Sequence, residues 1–94
     1  MMFSGLKLEY ALDGSSNYIA WKDLMEVVLE DKGLKDFIDQ DVPKPIGAHE
    51  LAEWKKCVAR ARRILSEGVQ DHIVSSLHGN ETSFSMWNTL KDIY

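Results

Sequence analysis

The sequence of 94 residues has little cysteine, little proline and no long hydrophobic run. Its single cysteine, Cys57, has no partner for an internal disulfide, which fits a reducing compartment. No apolar run approaches the roughly 18 residues of a membrane-spanning helix, and the opening "MMFSGLKLEY" lacks the basic and apolar regions of a secretory signal. These absences predict a cytoplasmic protein that does not bind membranes.

Positive charge is also in the minority. Eleven Lys and Arg residues face 15 Asp and Glu residues, which gives a net charge of −4. Because dedicated nucleic-acid-binding domains are usually basic, we do not expect a general affinity for polyanions. A chain of this length and hydrophobic content supports one modest core, so residues 1–94 are predicted to form a single domain.

Strand patterns are scarce as well. The nearest is "LKLEYAL" at residues 6–12, which has no obvious partner strand. Apolar residues instead recur at spacings of three and four, as in amphipathic helices. The sequence therefore predicts an all-α fold, a small bundle of about five helices, with a flexible start at residues 1–12.

The first predicted helix covers residues 18–32. Its apolar stripe consists of Tyr18, Trp21, Met25 and Val28, with Leu24 and Leu29 beside it. Three preceding residues are alternative N-caps: Ser15, Ser16 and Asn17. Gly33 is expected to end the helix in the left-handed conformation, with Leu34 contacting Leu29 as in a Schellman motif.

Proline and glycine divide the rest of the chain. Residues 39–47 contain two prolines and are predicted to connect helices by an extended path, after a possible helical turn at 34–38. A long helix should follow at 48–67, with its apolar stripe at Leu51, Trp54, Val58, Ala61 and Leu65, widened by Cys57 and Ile64.

Two further helices complete the predicted bundle. Gly68 should stop the long helix, and a short helix is expected within 69–77, with Gly79 ending it. Thr82 or Ser83 should cap the last helix. The apolar positions of these two helices are Val69, Ile73, Val74 and Leu77, then Met86, Trp87, Leu90, Ile93 and Tyr94.

Side chains suited to catalysis or metal binding are not grouped by the sequence. The spacings of His49, Cys57, His72 and His78 match no zinc-ligand pair. Three aspartates at 36, 39 and 41 lack the glycine that a calcium loop needs, and a solvated acidic turn explains them. We therefore expect no catalytic residue, no metal and no cofactor.

The segment "KKCVARARR" is the most distinctive polar feature. Five basic residues form a stripe on the long predicted helix: Lys55, Lys56, Arg60, Arg62 and Arg63. A solvated helix face is one interpretation, and a surface that binds phosphates or a protein partner is the other. Trp54 is assigned to the core, so no exposed aromatic residue accompanies the cations.

Four segments together resemble the N-terminal part of Gag polyproteins from plant copia-type LTR retrotransposons. They are "LDGSSNYIAWKDLMEVVLEDKGLKDFI", "AEWKKCVARARRIL", "VQDHIVSSLHG" and "MWNTLKDIY", which span nearly the whole chain in the family's order. The family's opening motif matches Asp13, Gly14, Asn17, Tyr18, Trp21, Lys22 and Met25, with two serines where one Ser or Thr is usual. The closing motif matches Trp87, Leu90 and Tyr94, while Gly33 and Trp54 complete the motif and core positions.

The resemblance implies a capsid-type protein. In that family the N-terminal helical domain packs against copies of itself into a virus-like particle around RNA, so a homo-oligomer without enzymatic activity is implied. RNA would be bound mainly through a downstream zinc knuckle that this chain lacks. Since the last apolar pattern reaches Tyr94 without a C-cap, we expect a fragment of a longer polyprotein.

A second hypothesis remains open beside the capsid interpretation. A domesticated Gag-derived module could recruit a host protein or RNA through the basic stripe, and its RNA binding would then depend on salt. An enzyme would need a paired acid and base in a pocket, for which the sequence offers no candidate.

Overall fold

The computed structural model describes residues 11–94, which fold around one core of five α-helices. The helices are α1 (Tyr18–Asp31), α2 (Asp36–Asp39), α3 (Ala48–Glu67), α4 (Asp71–Val74) and α5 (Ser83–Ile93). Short 3₁₀ turns precede α1 and follow α4. Within the described residues there is no β-strand, so the prediction of a small all-α bundle is confirmed.

Helix α5 is central to the packing. It lies against α3 and α2, and α3 in turn contacts α1 and α2. The core is formed by buried residues of these helices and of the segments that join them: Tyr18, Trp21, Met25, Leu29, Leu34, Ile38, Ala61, Ile64, Leu65, Val69, Ile73, Leu77, Met86, Trp87 and Leu90, joined by Leu12. Burial of this apolar surface is the main source of stability.

The end of α1 has the predicted geometry. Gly33 has a φ of +72°, its N–H donates to the carbonyl of Glu30 at 3.0 Å, and the N–H of Leu34 donates to the carbonyl of Leu29 at 2.8 Å. These are the two hydrogen bonds of a Schellman motif. Leu29 and Leu34 are both buried in the core, so the predicted motif is confirmed.

The remaining helix ends follow the sequence closely, except that α2 ends at Asp39, inside the predicted connection 39–47, and α4 begins at Asp71 within the predicted 69–77. Residues 40–47 form no helix, α3 begins and ends at the predicted residues, and Gly79 has a φ of +90°. Thr82 is the N-cap of α5, and its hydroxyl accepts from the N–H of Ser85 at 3.1 Å. Ser83, the alternative, is buried instead and donates its hydroxyl to the carbonyl of Phe37 at 2.7 Å.

Several apolar positions are more exposed than predicted, including Leu51 of the α3 stripe, which is half-buried and lies outside the core cluster. At the end of the α1 stripe the buried residue is Leu29 rather than Val28, because Leu29 lies about three full turns after Tyr18 and so on the same side of the helix. Val74 and Ile93 are 37% and 49% exposed. Each is the last residue of its helix.

The prediction of a flexible start is wrong for the two residues of it that the structure describes. Ala11 and Leu12 are buried, and Leu12 forms a parallel bridge with Val69. The Leu12 N–H donates to the carbonyl of Gly68 and its carbonyl accepts from the N–H of Gln70, both at 2.9 Å. Residues 1–10 lie outside the described residues.

Candidate interaction surfaces

The motif residues at the two ends of the sequence meet in one aromatic cluster. Tyr18 stacks on Tyr94 with ring centroids 5.9 Å apart, and Trp21 packs against Trp87 at 5.7 Å. Tyr18 and Trp21 are themselves 6.2 Å apart, which joins the two pairs. Such tilted and offset aromatic contacts add stability beyond the area that they bury. The motif residues on α1 and α5 therefore form a structural core.

The carbonyl of Gly68 receives two hydrogen bonds at the centre of this region. The indole Nε1 of Trp21 donates to it, as does the backbone N–H of Leu12. A methyl group on Gly68 would lie 3.1 Å from the sulfur of Met25. Glycine therefore allows the end of α3 to approach α1 closely.

Asn17 organises the turn before α1 rather than capping the helix through its side chain. It occupies the N-cap position, but its Oδ1 accepts from the N–H groups of Asp13 at 3.0 Å and Gly14 at 3.3 Å. Its Nδ2 donates to the carbonyl of Ala11 at 2.9 Å. The Asp-Gly-Ser-Ser-Asn segment thus holds the preceding chain against the bundle.

Ionisable and nucleophilic side chains are dispersed over the described residues. His72 is exposed, and its Nε2 lies 3.0 Å from the carbonyl oxygen of Asp13. Cys57 packs against the core. Residues 11–94 contain no group of three or more His, Cys, Asp or Glu side chains that could hold a metal ion. None of their helices is long and apolar enough to cross a membrane.

A polar network that the sequence did not reveal supports the start of α5. The side-chain oxygen of Asn80 accepts from the hydroxyls of Ser85 and Thr89, and its Nδ2 donates to the carbonyl of Leu77 at 3.2 Å. These partners lie three to nine residues away, in the 3₁₀ turn before Asn80 and in α5 after it. No periodic signal marks such contacts, so only the structure identifies them.

Trp54 corrects the prediction that it belongs to the core. It is half-buried and lies outside the core cluster, and its Nε1 donates to the carbonyl of Val42 at 3.0 Å. The Lys44 ammonium lies 5.8 Å from the centre of its ring. Trp54 therefore fixes the proline-containing connection to α3. The apolar stripe of α3 indicated the side of the helix on which Trp54 lies, but not which residues pack against it.

All five basic residues of α3 are exposed: Lys55, Lys56, Arg60, Arg62 and Arg63. Together they form the basic face. Arg63 makes an ion pair with Glu67, Nε to Oε2 at 3.3 Å. The other four have no ion pair among the described residues. Most of the positive charge of the basic face is therefore exposed to solvent and is not neutralised by an ion pair among the described residues.

The outer side of α1 has the opposite character. Ile19 and Val27 are 68% and 61% exposed, and Asp23 and Glu30 lie beside them at helical spacing. These four residues form the acidic face. Single exposed apolar side chains are common on monomers, whereas larger apolar patches mark interaction sites.

Two described side chains, Tyr18 and Lys35, have pKa values raised above their ordinary values. Burial raises the pKa of the Tyr18 phenol, with a smaller opposing effect from Lys22 and a raising effect from Glu26. The pKa of Lys35 is raised chiefly by its hydrogen bond to Asp39. The Tyr18 shift comes mainly from burial and the Lys35 shift from its ion pair with Asp39, so these shifts indicate packing and pairing rather than acid–base catalysis.

Comparisons with protein-family models, curated proteins and solved structures give no significant match to this chain.

Proposed function

We propose that this chain is a capsid-type Gag domain that self-associates to build a particle around RNA. The proposal starts from the resemblance to copia-type Gag proteins in four ordered segments. The observation that supports it best is the aromatic cluster, in which Tyr18 and Trp21 of the opening motif contact Tyr94 and Trp87 of the closing motif. The motif residues then serve the fold, and the outer surfaces of the helices remain available for contacts between copies.

A rigid unit with fixed faces suits such an assembly. The Schellman motif after α1 and the side chain of Asn17 before it hold both ends of this helix. Each outward residue of α1 therefore has a defined direction relative to the core. Contacts between many copies can be individually weak, because the assembly makes many of them at once.

The basic face favours a second candidate function, a Gag-derived module that binds RNA or a host protein. Four of its cations lack an ion pair among the described residues, and a row of such charges attracts phosphates. Trp54 beside Lys55 is half-buried rather than exposed, so an open stacking platform for bases is not present on this face.

Light scattering on the purified chain, with and without single-stranded RNA, separates the two functions. The capsid proposal expects the mass to rise with protein concentration in the absence of RNA. The binding-module alternative expects a monomer that binds RNA at low salt and loses binding when Arg60 and Arg63 are reversed to glutamate. A monomer that binds no RNA at low salt would contradict both the capsid proposal and the RNA form of the alternative.

A further inference from the structure

The charge of the chain is unevenly divided between residues 18–41 and helix α3. Residues 18–41, which contain α1 and α2, carry seven acidic and three basic side chains. Helix α3 carries five basic and three acidic side chains. A chain with an overall charge of −4 therefore presents one distinctly positive surface, the basic face of α3. Separate surfaces of opposite sign on one molecule can attract each other between copies.

The carboxylates of the acidic face are not neutralised by ion pairs among the described residues. Lys22 forms an ion pair with Glu26 at 3.3 Å, and Lys35 forms one with Asp39 at 2.7 Å. Asp23 and Glu30 make no ion pair among the described residues. Glu30 does contribute to the raised pKa of Lys35, but less than Asp39 does. The acidic face thus combines two carboxylates with two exposed apolar side chains.

The basic face has small side chains between its rows of long cationic ones. Lys56, Arg60 and Arg63 share one side of α3, and Lys55 and Arg62, seven residues apart, share another. The exposed alanines Ala52 and Ala59 lie between these two rows of long side chains. At about 1.5 Å of rise per residue, Ala52 and Ala59 are about 10 Å apart along α3, and Ile19 and Val27 are about 12 Å apart along α1.

We propose that the acidic face of one copy docks on the basic face of the next copy. The apolar side chains Ile19 and Val27 then lie over the alanines, and Asp23 and Glu30 meet the flanking cations. This inference rests on the proposed self-association and names its surfaces. Where a copy uses its acidic face on one neighbour and its basic face on another, the contact is heterologous and repeats from copy to copy into a ring or an open array.

Charge reversal on each face, followed by mixing, tests the docking. One variant carries Asp23→Lys and Glu30→Lys, and the other carries Lys56→Glu and Arg60→Glu. Each alone is expected to raise the apparent dissociation constant by at least about tenfold, because like charges then face each other. The equimolar mixture is expected to recover association, because each reversed face finds a complementary face on the other variant.

The matched control for the first variant is Glu81→Lys with Asp92→Lys. Both residues are exposed, lie off both faces, and give the same change in net charge. This control is expected to associate like the wild-type chain. Circular dichroism and thermal melting of all variants establish that they are folded, and recovery in the mixture establishes it independently.

The remaining outcomes separate the docking from the proposed function. A wild-type chain that associates while both reversed variants associate equally well overturns the docking and leaves self-association standing. A basic-face variant that associates normally but loses RNA binding assigns that face to nucleic acid and also overturns the docking. A wild-type chain that is monomeric at every concentration overturns both proposals.

Salt and apolar substitutions give a second readout. The docking predicts that association weakens from about 50 mM to about 500 mM NaCl, since the interacting charges are exposed and screened. Ile19→Ser with Val27→Ser should weaken association while leaving this salt dependence in place. Association that strengthens with salt, or that is unchanged by the two serines, would contradict the proposed contact.

Discussion

Trp21 and Trp87 connect α1 to α5 through contacts that involve nearly all of each indole ring. Trp21 is 2% exposed and Trp87 is 5% exposed, and Trp21 also donates to the carbonyl of Gly68. Truncation to alanine removes the ring contacts and leaves a cavity. We expect either Trp21→Ala or Trp87→Ala to lower the free energy of unfolding by about 3–5 kcal/mol, a large fraction of what a small domain has. Urea unfolding followed by far-UV circular dichroism measures this, and wild-type stability in both variants would contradict the core assignment.

The phenol of Tyr18 makes stability depend on alkaline pH. Because burial raises its pKa in the folded chain, the folded state favours the neutral phenol. The associated stability is complete below the ordinary tyrosine pKa of about 10 and is lost as the pH rises through the raised pKa. Tyr18→Phe keeps the ring and should reduce the fall in unfolding free energy between about pH 8 and about pH 11.

Lys35→Gln is the comparison variant for this pH prediction. Lys35 also has a raised pKa, through its hydrogen bond to Asp39, and its contribution to stability is lost over alkaline pH in the same direction. Urea unfolding at both pH values in each variant separates the two groups. An identical alkaline fall in the Tyr18→Phe variant and the wild-type chain would refute the role of the phenol.

Helix ends were predictable where glycine has a positive φ. Gly33 has a φ of +72°, a conformation that costs an L-residue about 1–2 kcal/mol. No atom lies within 4 Å of a methyl group placed on it, so backbone strain alone decides the effect. We expect Gly33→Ala to destabilise the chain by about 1–2 kcal/mol.

Gly14→Ala is the matched control for Gly33→Ala. Gly14 also has open space where the methyl group of an alanine would lie, but its backbone is extended, with a φ of 166°. It should therefore lose little or no stability. Thermal melting of the two variants compares them directly, and equal losses would contradict the argument from the left-handed turn.

The sequence predicted elements better than it predicted contacts between them. The long helix was located at both ends because a stripe of apolar residues and Gly68 mark it, and the Schellman motif followed from a single glycine. The placement of Trp54 was wrong, since the periodicity of α3 cannot indicate that Val42 supplies a carbonyl for its indole. The side-chain hydrogen bond from Ser83 to Phe37, 46 residues apart, has no sequence signal either.

At the scale of the whole molecule, the bridge between Leu12 and Val69 joins the segment before α1 to the segment that follows α3. This bridge was not predicted, because one pair of residues leaves no alternating pattern. Leu12 is fully buried in the core, so Leu12→Ala should cost about 2–5 kcal/mol. Ile46→Ala, at a side chain fully open to solvent, should change stability by less than about 0.5 kcal/mol. Chemical unfolding measures both, and a small effect at Leu12 would show that this segment is dispensable.

The basic face illustrates what the sequence could and could not predict about function. Its five residues and their shared exposure followed from helical spacing. Its proposed partner, the acidic face of α1, required knowledge that Ile19 and Val27 are exposed while Leu29 is buried. In the proposed docking, these two faces are the surfaces through which identical copies contact each other.

Sedimentation equilibrium of the wild-type chain, over a concentration series at low salt, tests self-association most directly. Self-association predicts a weight-average mass that rises with concentration above the 10.7 kDa of a single chain. A mass that stays at 10.7 kDa over the whole series would contradict it.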